Sequence, residues 1–186
     1  MGTRHLVAFT AHGETKAMYG QYDGYISGVG MDVLNFCRQG IGSATIEKVI
    51  NLKVVPANGT PTPEEANALS KYSNASVSSG DDWYATLREC QGDPALILES
   101  GYILNSFDFG FDGIFCEYAY VLDFDKSCLD VYKGFQEKLN GLSGLWNDTS
   151  RWEPTYDGTK KLGVQKIASF SFDDLPSDLD FLALEG

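Results

Sequence analysis

Two pairs of strand-like segments, far apart in the sequence, place the strongest constraint on the fold of this chain. Residues 5–10 and 16–22 flank a turn that contains Gly13, a combination typical of a β-hairpin. Residues 114–124 and 128–135 are rich in aromatic and β-branched side chains and flank a short polar turn. Because the strands of a hairpin run antiparallel, both pairs predict an antiparallel sheet.

Apolar periodicity and capping residues predict helices between the two hairpins and at the end of the chain. These helices are expected over 31–40, 43–50, from 62 onward, over 81–90, over 93–101 and over 175–184. A proline-rich loop is expected over 51–63 and a last strand over 161–171. We therefore predict an α+β fold, a mostly antiparallel sheet with helices packed on one or both faces and the N-terminal hairpin central. A hydrophobic content of 43% in 186 residues is sufficient for one core, so a single globular domain is expected over 1–186.

The charge of the chain limits its partners. There are 26 acidic against 14 basic residues, which gives a formal charge of -12 at pH 7. Such a surface repels the phosphate backbone of DNA or RNA, so polymeric nucleic acid is excluded as a partner. A small phosphorylated ligand remains compatible, because one arginine and a few backbone N–H groups are enough to hold it. No stretch reaches the roughly 18 apolar residues of a membrane span, so no membrane partner is expected.

The cysteines and the N-terminus indicate the cellular compartment in which the protein is expected. Cys37, Cys90, Cys116 and Cys128 lack a CxxC spacing and lie in apolar segments, a pattern typical of buried free thiols. Free thiols persist in reducing compartments, and the N-terminus lacks the apolar middle of a signal peptide. We expect a cytoplasmic protein, in the host cell if it is viral, without a cofactor, and we leave a homo-oligomer open.

The segment that follows the second strand is the strongest candidate for a binding site. It combines aromatic, amide and carboxylate side chains with glycines, which allow the backbone to approach a ligand closely. If the hairpin pairs around Gly13, Thr3 and Arg4 lie beside this segment. Arg4 could then clamp an anion while Asp23 acts as a base, or the two could form an ordinary ion pair. The expected ligand-binding residues are Tyr19, Gln21, Tyr22, Tyr25, Gly28 and Gly30.

A second candidate acid or base lies in the later strand pair. Glu117 shares a strand face with Ala119 and Val121, so it lies at the edge of the core if that face is buried, and otherwise on a solvent-exposed face. The aromatic-rich segment 105–113 is expected to form a loop that could cover the site. Asp123 and Asp125 are interpreted as acids at a strand end, and no metal site is predicted.

Two resemblances extend this interpretation. The motifs Met1-Gly2-Thr3-Arg4-His5-Leu6 and Tyr19 through Gly30, with the segments 115–121 and 131–135, resemble a family of small, mostly uncharacterised proteins of bacteriophages and fungi. Ile26 stands where a proline is common in that family. The opening also resembles N-terminal-nucleophile hydrolases, in which a nucleophile begins the first strand of a sheet sandwiched by helices. We keep this architecture as an analogy and reject the N-terminal-nucleophile mechanism unless Thr3 becomes the terminal residue, because Gly2 precedes it.

The resemblance to phage proteins and the candidate site lead to three functional hypotheses. The first is a hydrolase of a phosphorylated small molecule, such as a cyclic-dinucleotide messenger of host immunity, acting against host defence. In this hypothesis the tyrosines stack a base, Arg4 and the N–H groups near Gly28 and Gly30 hold phosphate, and Asp23 or Glu117 deprotonates the attacking group. The second is a sponge that binds the nucleotide without cleaving it. The third is an acidic interaction protein that blocks a host factor.

Overall fold

The N-terminal hairpin forms as the sequence predicts. The structure is a computed structural model that describes residues 2–74, 76, 81–152 and 162–186. Strands β1 (His5–Ala11) and β2 (Glu14–Gly20) pair antiparallel through a two-residue turn. The turn residues, His12 and Gly13, have φ values of 52° and 77°, and a tight hairpin turn of this kind requires positive φ at both positions.

The five-stranded sheet confirms the predicted α+β class but places the hairpin at one side. Its order is β2-β1-β5-β6-β7, with β5 (Tyr118–Asp123), β6 (Cys128–Lys133) and β7 (Gln165–Ser171). Three of the four strand pairs are antiparallel and β1 pairs parallel with β5. The prediction of a central hairpin is therefore wrong: β2 is an edge strand and β5 is central. The parallel pairing joins segments about a hundred residues apart, which no local pattern reveals.

The helices lie in the predicted intervals, although several are shorter than expected. They are α1 (Met31–Arg38), α2 (Ser43–Asn51), α3 (Pro63–Ala68), α4 (Trp83–Thr86), α5 (Pro94–Ser100) and α6 (Asp178–Leu182). The start of α3 shows why such signals are reliable, because Thr62 and Glu65 form a complete capping box ahead of it. None of the helices in the described ranges is long and apolar enough to cross a membrane.

Two segments differ from their predicted structure. The expected loop over 51–63 contains β3 (Lys53–Val55), which pairs parallel with β4 (Tyr102–Leu104) in a separate two-stranded sheet. The aromatic segment forms a 3-10 helix over Phe107–Phe111. Met1 of the opening motif, residue 161 of the last predicted strand and residues 153–160 lie outside the described ranges.

A separate hydrophobic core packs against each face of the sheet. Val7 and Phe9 of β1 face the helices, and Val33, Ile97 and Phe181 pack in the same core. The second core, on the opposite face, contains no residue of an α-helix among the described residues. Its members come from the strands and from the irregular segments before β5 and after β6: Leu6, Ala8, Ala17, Phe111, Cys116, Ala119, Val121, Tyr132, Trp146, Trp152 and Val164. The alternation of β1 side chains between two cores explains why the strand is buried along its whole length.

Asp125 links the two hairpin turns and makes stability depend on pH. Its carboxylate accepts hydrogen bonds from the backbone N–H groups of His12 and Gly13, both at 2.8 Å. These donors, Gly13 first, hold the pKa of Asp125 below its ordinary value in the folded state. A lowered folded pKa means that the carboxylate stabilises the fold above the unfolded pKa of about 3.9, and that this contribution is lost as pH falls through the lower, folded value.

We expect Asp125→Asn to lower the melting temperature most at neutral pH. An asparagine presents only one oxygen, so one of the two turn N–H groups loses its acceptor. The difference in melting temperature between wild type and variant should be largest above about pH 5 and shrink as the pH drops below about 4. Asp173→Asn is the control, because Asp173 is an exposed aspartate without a hydrogen bond to its carboxylate in the described structure. A difference that is constant from about pH 3 to about pH 7 would contradict this explanation.

Candidate functional site

The glycines that mark the predicted site are required by packing within the protein. The imidazole of His5 occupies the space where Gly20 and Gly24 would carry a Cβ atom, and at Gly24 that atom would lie 2.7 Å from the His5 ring. Gly30 leaves room for the ring of Tyr120, whose hydroxyl would lie 2.9 Å from a Cβ. The sequence therefore indicated correctly that the backbone approaches something closely there. The neighbour is the protein's own side chains.

The predicted phosphate-binding amides already have partners. The N–H groups of Gly28 and Gly30 both donate to the carbonyl of Tyr25, at 3.1 and 3.0 Å. The N–H of Val29 donates to the carbonyl of Asp23 at 2.9 Å. In this conformation these two N–H groups are therefore not free to bind phosphate, because the turn uses them to close on itself.

Arg4 and Glu117 form an ion pair with each other. From the sequence, Arg4 was instead expected to bind an anion or to pair with Asp23, and Glu117 to act as an acid or base. The guanidinium lies 3.9 Å from a Glu117 oxygen, and the Arg4 backbone N–H donates to the same carboxylate at 3.3 Å. The guanidinium also lies over the ring of Phe115, 4.8 Å from its centroid. The alternative of an Arg4–Asp23 ion pair is absent from the contacts of the described residues, where Arg4 pairs with Glu117 instead. Parallel pairing of β1 with β5 causes this, since it brings Glu117 next to Arg4.

Thr3 and the tyrosines divide between structural and exposed positions. Thr3 is buried and its carbonyl accepts a hydrogen bond from the Gly24 N–H, so it supports the bend. The hydroxyl of Tyr19 donates to Gln21, and its ring packs edge-on against Phe109 of the aromatic segment. That segment fills the second core, so it does not form the predicted cover over a site. Tyr25 is exposed and is not among the residues that line the cavity beside the bend.

That cavity is lined by residues of the bend and of segments distant from it in the sequence. It has a volume of about 540 Å³, within the usual range of small-molecule sites. Gln21, Tyr22, Asp23 and Gly28 line it as predicted. The rest of its lining comes from the turn before α1, from α1 and from the chain between α3 and α5: Val29, Asp32, Asn74, Arg88, Glu89, Gln91, Gly92 and Asp93. We call it the Tyr22 cavity. The start of the chain, Thr3 and Arg4, does not line it.

Arg88 is the single cation among the residues that line the Tyr22 cavity. Its guanidinium lies 5.2 Å from the ring centroid of Tyr22 and 5.6 Å from that of Tyr84, and it donates to the side-chain oxygen of Gln91. Stacking and this hydrogen bond fix the orientation of the guanidinium. Tyr22 nevertheless stays 57% exposed, so most of its side chain is open to a ligand.

Four carboxylates outnumber this arginine. Asp93 accepts two backbone N–H groups at the start of α5, and Glu89 accepts from the amide of Asn74 at 3.0 Å. Asp23 and Asp32 make no side-chain hydrogen bond within the described ranges. Partial burial and then the charge of Asp93 raise the pKa of Asp32. The cavity therefore has a strong negative potential and two carboxylates available to accept hydrogen bonds from a ligand.

Buried polar atoms without partners lie in and behind the cavity wall. The Nε2 atom of Gln91 is buried and makes no hydrogen bond to the described residues. Behind Gly92 lies the His5 ring, whose Nε2 would be 3.1 Å from a Cβ at that position. Burial lowers the pKa of His5 to about 4, with the backbone of Thr3 acting in the opposite direction. The imidazole is therefore neutral at physiological pH and forms part of the core under the cavity.

Sequence reasoning missed the segment 88–93, although one signal was present. Arg88 is the only lysine or arginine between Lys71 and Lys126, so it is an isolated cation in an acidic stretch. In the structure this cation has specific partners, two tyrosines and an amide. Asp32 and Asp93 gave no separate signal, because aspartate is common in the first turn of any helix.

The candidate site rests on this geometry alone. Comparison with protein-family models, with curated proteins and with solved structures found no match for the chain. The resemblances to phage and fungal proteins and to N-terminal-nucleophile hydrolases therefore stay predictions from the sequence motifs.

Proposed function

We propose that this protein binds a small ligand of nucleoside type in the Tyr22 cavity, through its base and sugar, and holds it without cleavage. The observation that carries this proposal is the composition of the cavity wall: four carboxylates and three side-chain amides surround one arginine that is stacked on an exposed tyrosine. This wall offers an aromatic face and many acceptors but little positive charge.

The acceptors favour a ligand rich in hydroxyl and amino groups. A carboxylate that accepts from ribose hydroxyls is a common way to recognise a nucleoside, and Asp23 or Asp32 is available for it. The exposed face of Tyr22 offers a stacking surface for a planar base. The amides of Gln21, Asn74 and Gln91 supply donors and acceptors for the edge of the base.

The same charges disfavour a ligand held by its phosphate. An anionic group in this cavity meets Asp23, Asp32, Glu89 and Asp93, while Arg88 alone attracts it. Of the three other expected catalytic residues, Arg4 and Glu117 pair with each other and Thr3 is buried, all outside the cavity lining. Binding without cleavage is therefore better supported than hydrolysis. Hydrolysis of a cyclic dinucleotide and an anti-defence role in a phage stay predictions from the sequence. We propose a cytoplasmic location, which agrees with four unbridged thiols.

Calorimetric titration with the common nucleosides, their 5′-monophosphates and cyclic dinucleotides tests the proposal. At least one nucleoside should bind, and its 5′-monophosphate should bind roughly fivefold more weakly, because an added like charge nearby costs on the order of 1 kcal/mol. Nucleotides recovered after heat denaturation should be intact. Linear or dephosphorylated products would support the hydrolase, and failure of every nucleoside to bind would overturn the proposal.

Replacing Tyr22 by alanine should weaken nucleoside binding by roughly 5- to 150-fold, because stacking of a base on an aromatic side chain contributes about 1–3 kcal/mol. Tyr25→Ala is a matched control, since Tyr25 is an exposed tyrosine of the same segment that does not line the cavity. It should retain wild-type affinity in the same titration. Equal losses in the two variants would place the ligand elsewhere.

A further inference from the structure

Three side chains of kinds that ligate metals converge on the sheet face opposite the helices. Asp123 ends β5, and it lies directly across from Cys128 of β6. Asp130 is two residues further along β6, so its side chain points to the same face. One ligand atom from each residue lies within 4.8 Å of the others, and the residues are 2%, 8% and 2% exposed. It is the one such group of three or more within the described ranges.

Two lysines neutralise the carboxylates of this cluster. Nζ of Lys126 lies 2.7 Å from Asp123, and Nζ of Lys166 lies 2.6 Å from Asp130. Burying two carboxylates is costly unless cations accompany them, so these ammonium groups explain how the cluster is stable before a metal binds. Lys126 lies in the exposed turn after β5 and its side chain is 66% exposed. It can move into water without leaving the fold, which opens a path to Asp123.

Cys128 contributes a thiol, which the ion pairs between the carboxylates and the lysines do not require. Sγ of Cys128 is directed at Oδ1 of Asp130, 3.6 Å away, while Oδ2 of the same carboxylate accepts from Lys166. The oxygen on the thiol side is thus not engaged by an ammonium group. A thiolate beside carboxylate oxygens is a donor set for borderline ions such as Zn²⁺, whereas Mg²⁺ and Ca²⁺ prefer oxygen alone.

We propose that Asp123, Cys128 and Asp130 form a binding site for a thiophilic divalent cation, with Zn²⁺ as the best match. This proposal is independent of the Tyr22 cavity. Ligand atoms around a tetrahedral zinc lie roughly 3.5 Å apart. The present ligand atoms all lie within 4.8 Å of one another, so the side chains must close by at most about 1.3 Å. A metal–sulfur bond replaces the S–H bond of Cys128, and the proton leaves to solvent. Lys126 then withdraws, because the ion takes over neutralisation of Asp123.

Titration of the metal-free protein with Co²⁺ and Zn²⁺ tests this site. One Co²⁺ should bind per chain with a sulfur-to-cobalt charge-transfer band and release of about one proton, and Zn²⁺ should then displace it without further proton release. Cys128→Ser should abolish the band and weaken Zn²⁺ binding at least about tenfold, as expected for loss of a ligand. Cys37→Ser is the control, because Cys37 is a buried thiol of α1 outside the cluster. A band that survives Cys128→Ser, or no binding at all, overturns the proposal.

A second variant distinguishes a metal site from a purely structural ion-pair cluster. Lys166→Met removes the ammonium that competes for Asp130, so this variant should melt at a lower temperature than wild type without metal. Zn²⁺ stabilises the folded state when it binds to that state alone. Saturating Zn²⁺ should therefore raise the melting temperature of the variant more than that of wild type, because no ammonium of Lys166 competes with the metal for Asp130. If the two zinc-induced shifts are equal, or if Zn²⁺ leaves both proteins unchanged, the cluster is structural and the proposal fails.

Discussion

Replacing Trp146 by alanine is expected to lower the free energy of unfolding by about 3–5 kcal/mol, a large part of the total stability of a domain of this size. Trp146 is fully buried in the second core, where its ring lies 5.0 Å from that of Tyr132 and 5.3 Å from that of Phe107. Its indole N–H donates to the Phe107 carbonyl at 2.8 Å. The substitution leaves a cavity and an unpaired carbonyl, and both effects lower the free energy of unfolding.

Urea unfolding followed by far-UV circular dichroism measures this change without relying on tryptophan fluorescence. Leu179→Ala is the control, because Leu179 is the most exposed of the large hydrophobic residues described, at 82%. Its free energy of unfolding should stay within about 0.5 kcal/mol of wild type. If Trp146→Ala costs less than about 1 kcal/mol, the second core is not an essential part of the fold.

Gly20→Ala is expected to destabilise the protein by roughly 1–3 kcal/mol because the new methyl group would overlap the His5 ring. Elsewhere in a strand, alanine is favoured over glycine by about 0.5–1 kcal/mol. A loss of stability at Gly20 would therefore indicate that the added methyl group does not fit. If Gly20 existed only to admit a ligand, the substitution would leave the free energy of unfolding of the ligand-free protein unchanged or improved.

A double-mutant cycle with His5→Ala provides the control within the same chain. In the His5→Ala background the ring is absent, and Gly20→Ala should cost less than about 0.5 kcal/mol. Urea unfolding of the four proteins gives the coupling between the two sites. Additive effects would show that His5 does not fill the space at Gly20, and the packing explanation of the glycine segment would be wrong.

The local elements were largely accessible from the sequence because their signals are local. The hairpin turn at Gly13 and the capping box at Thr62 depend on residues within a few positions of each other. Free, buried thiols were also predicted correctly from the spacing and apolar neighbours of the cysteines. Short helices such as α4 were expected to be longer, because the neighbouring 3-10 turn also places apolar residues three positions apart, a spacing that occurs in an α-helix as well.

The candidate site was predicted only in part, since half of it comes from a distant segment. Gln21, Tyr22 and Asp23 line a cavity, as their polar and aromatic character suggested. Arg88 and Asp93 complete that cavity from a segment more than sixty residues further along the chain. Arg4 was assigned to the wrong partner for the same reason, because Glu117 reaches it through the parallel pairing of β1 with β5.

The sequence by itself determined the type of most elements, the α+β class and the position of the segment beside which a cavity forms. These follow from alternation, capping and turn chemistry, which act over a few residues. Only the tertiary structure decided the strand order, the use of the glycines and the charge of the cavity. Each of these depends on contacts between residues distant in the chain, such as His5 with Gly92 or Asp32 with Asp93. A side chain's neighbours across such distances are set by the packing of the whole sheet and its helices, so no short stretch of sequence contains them.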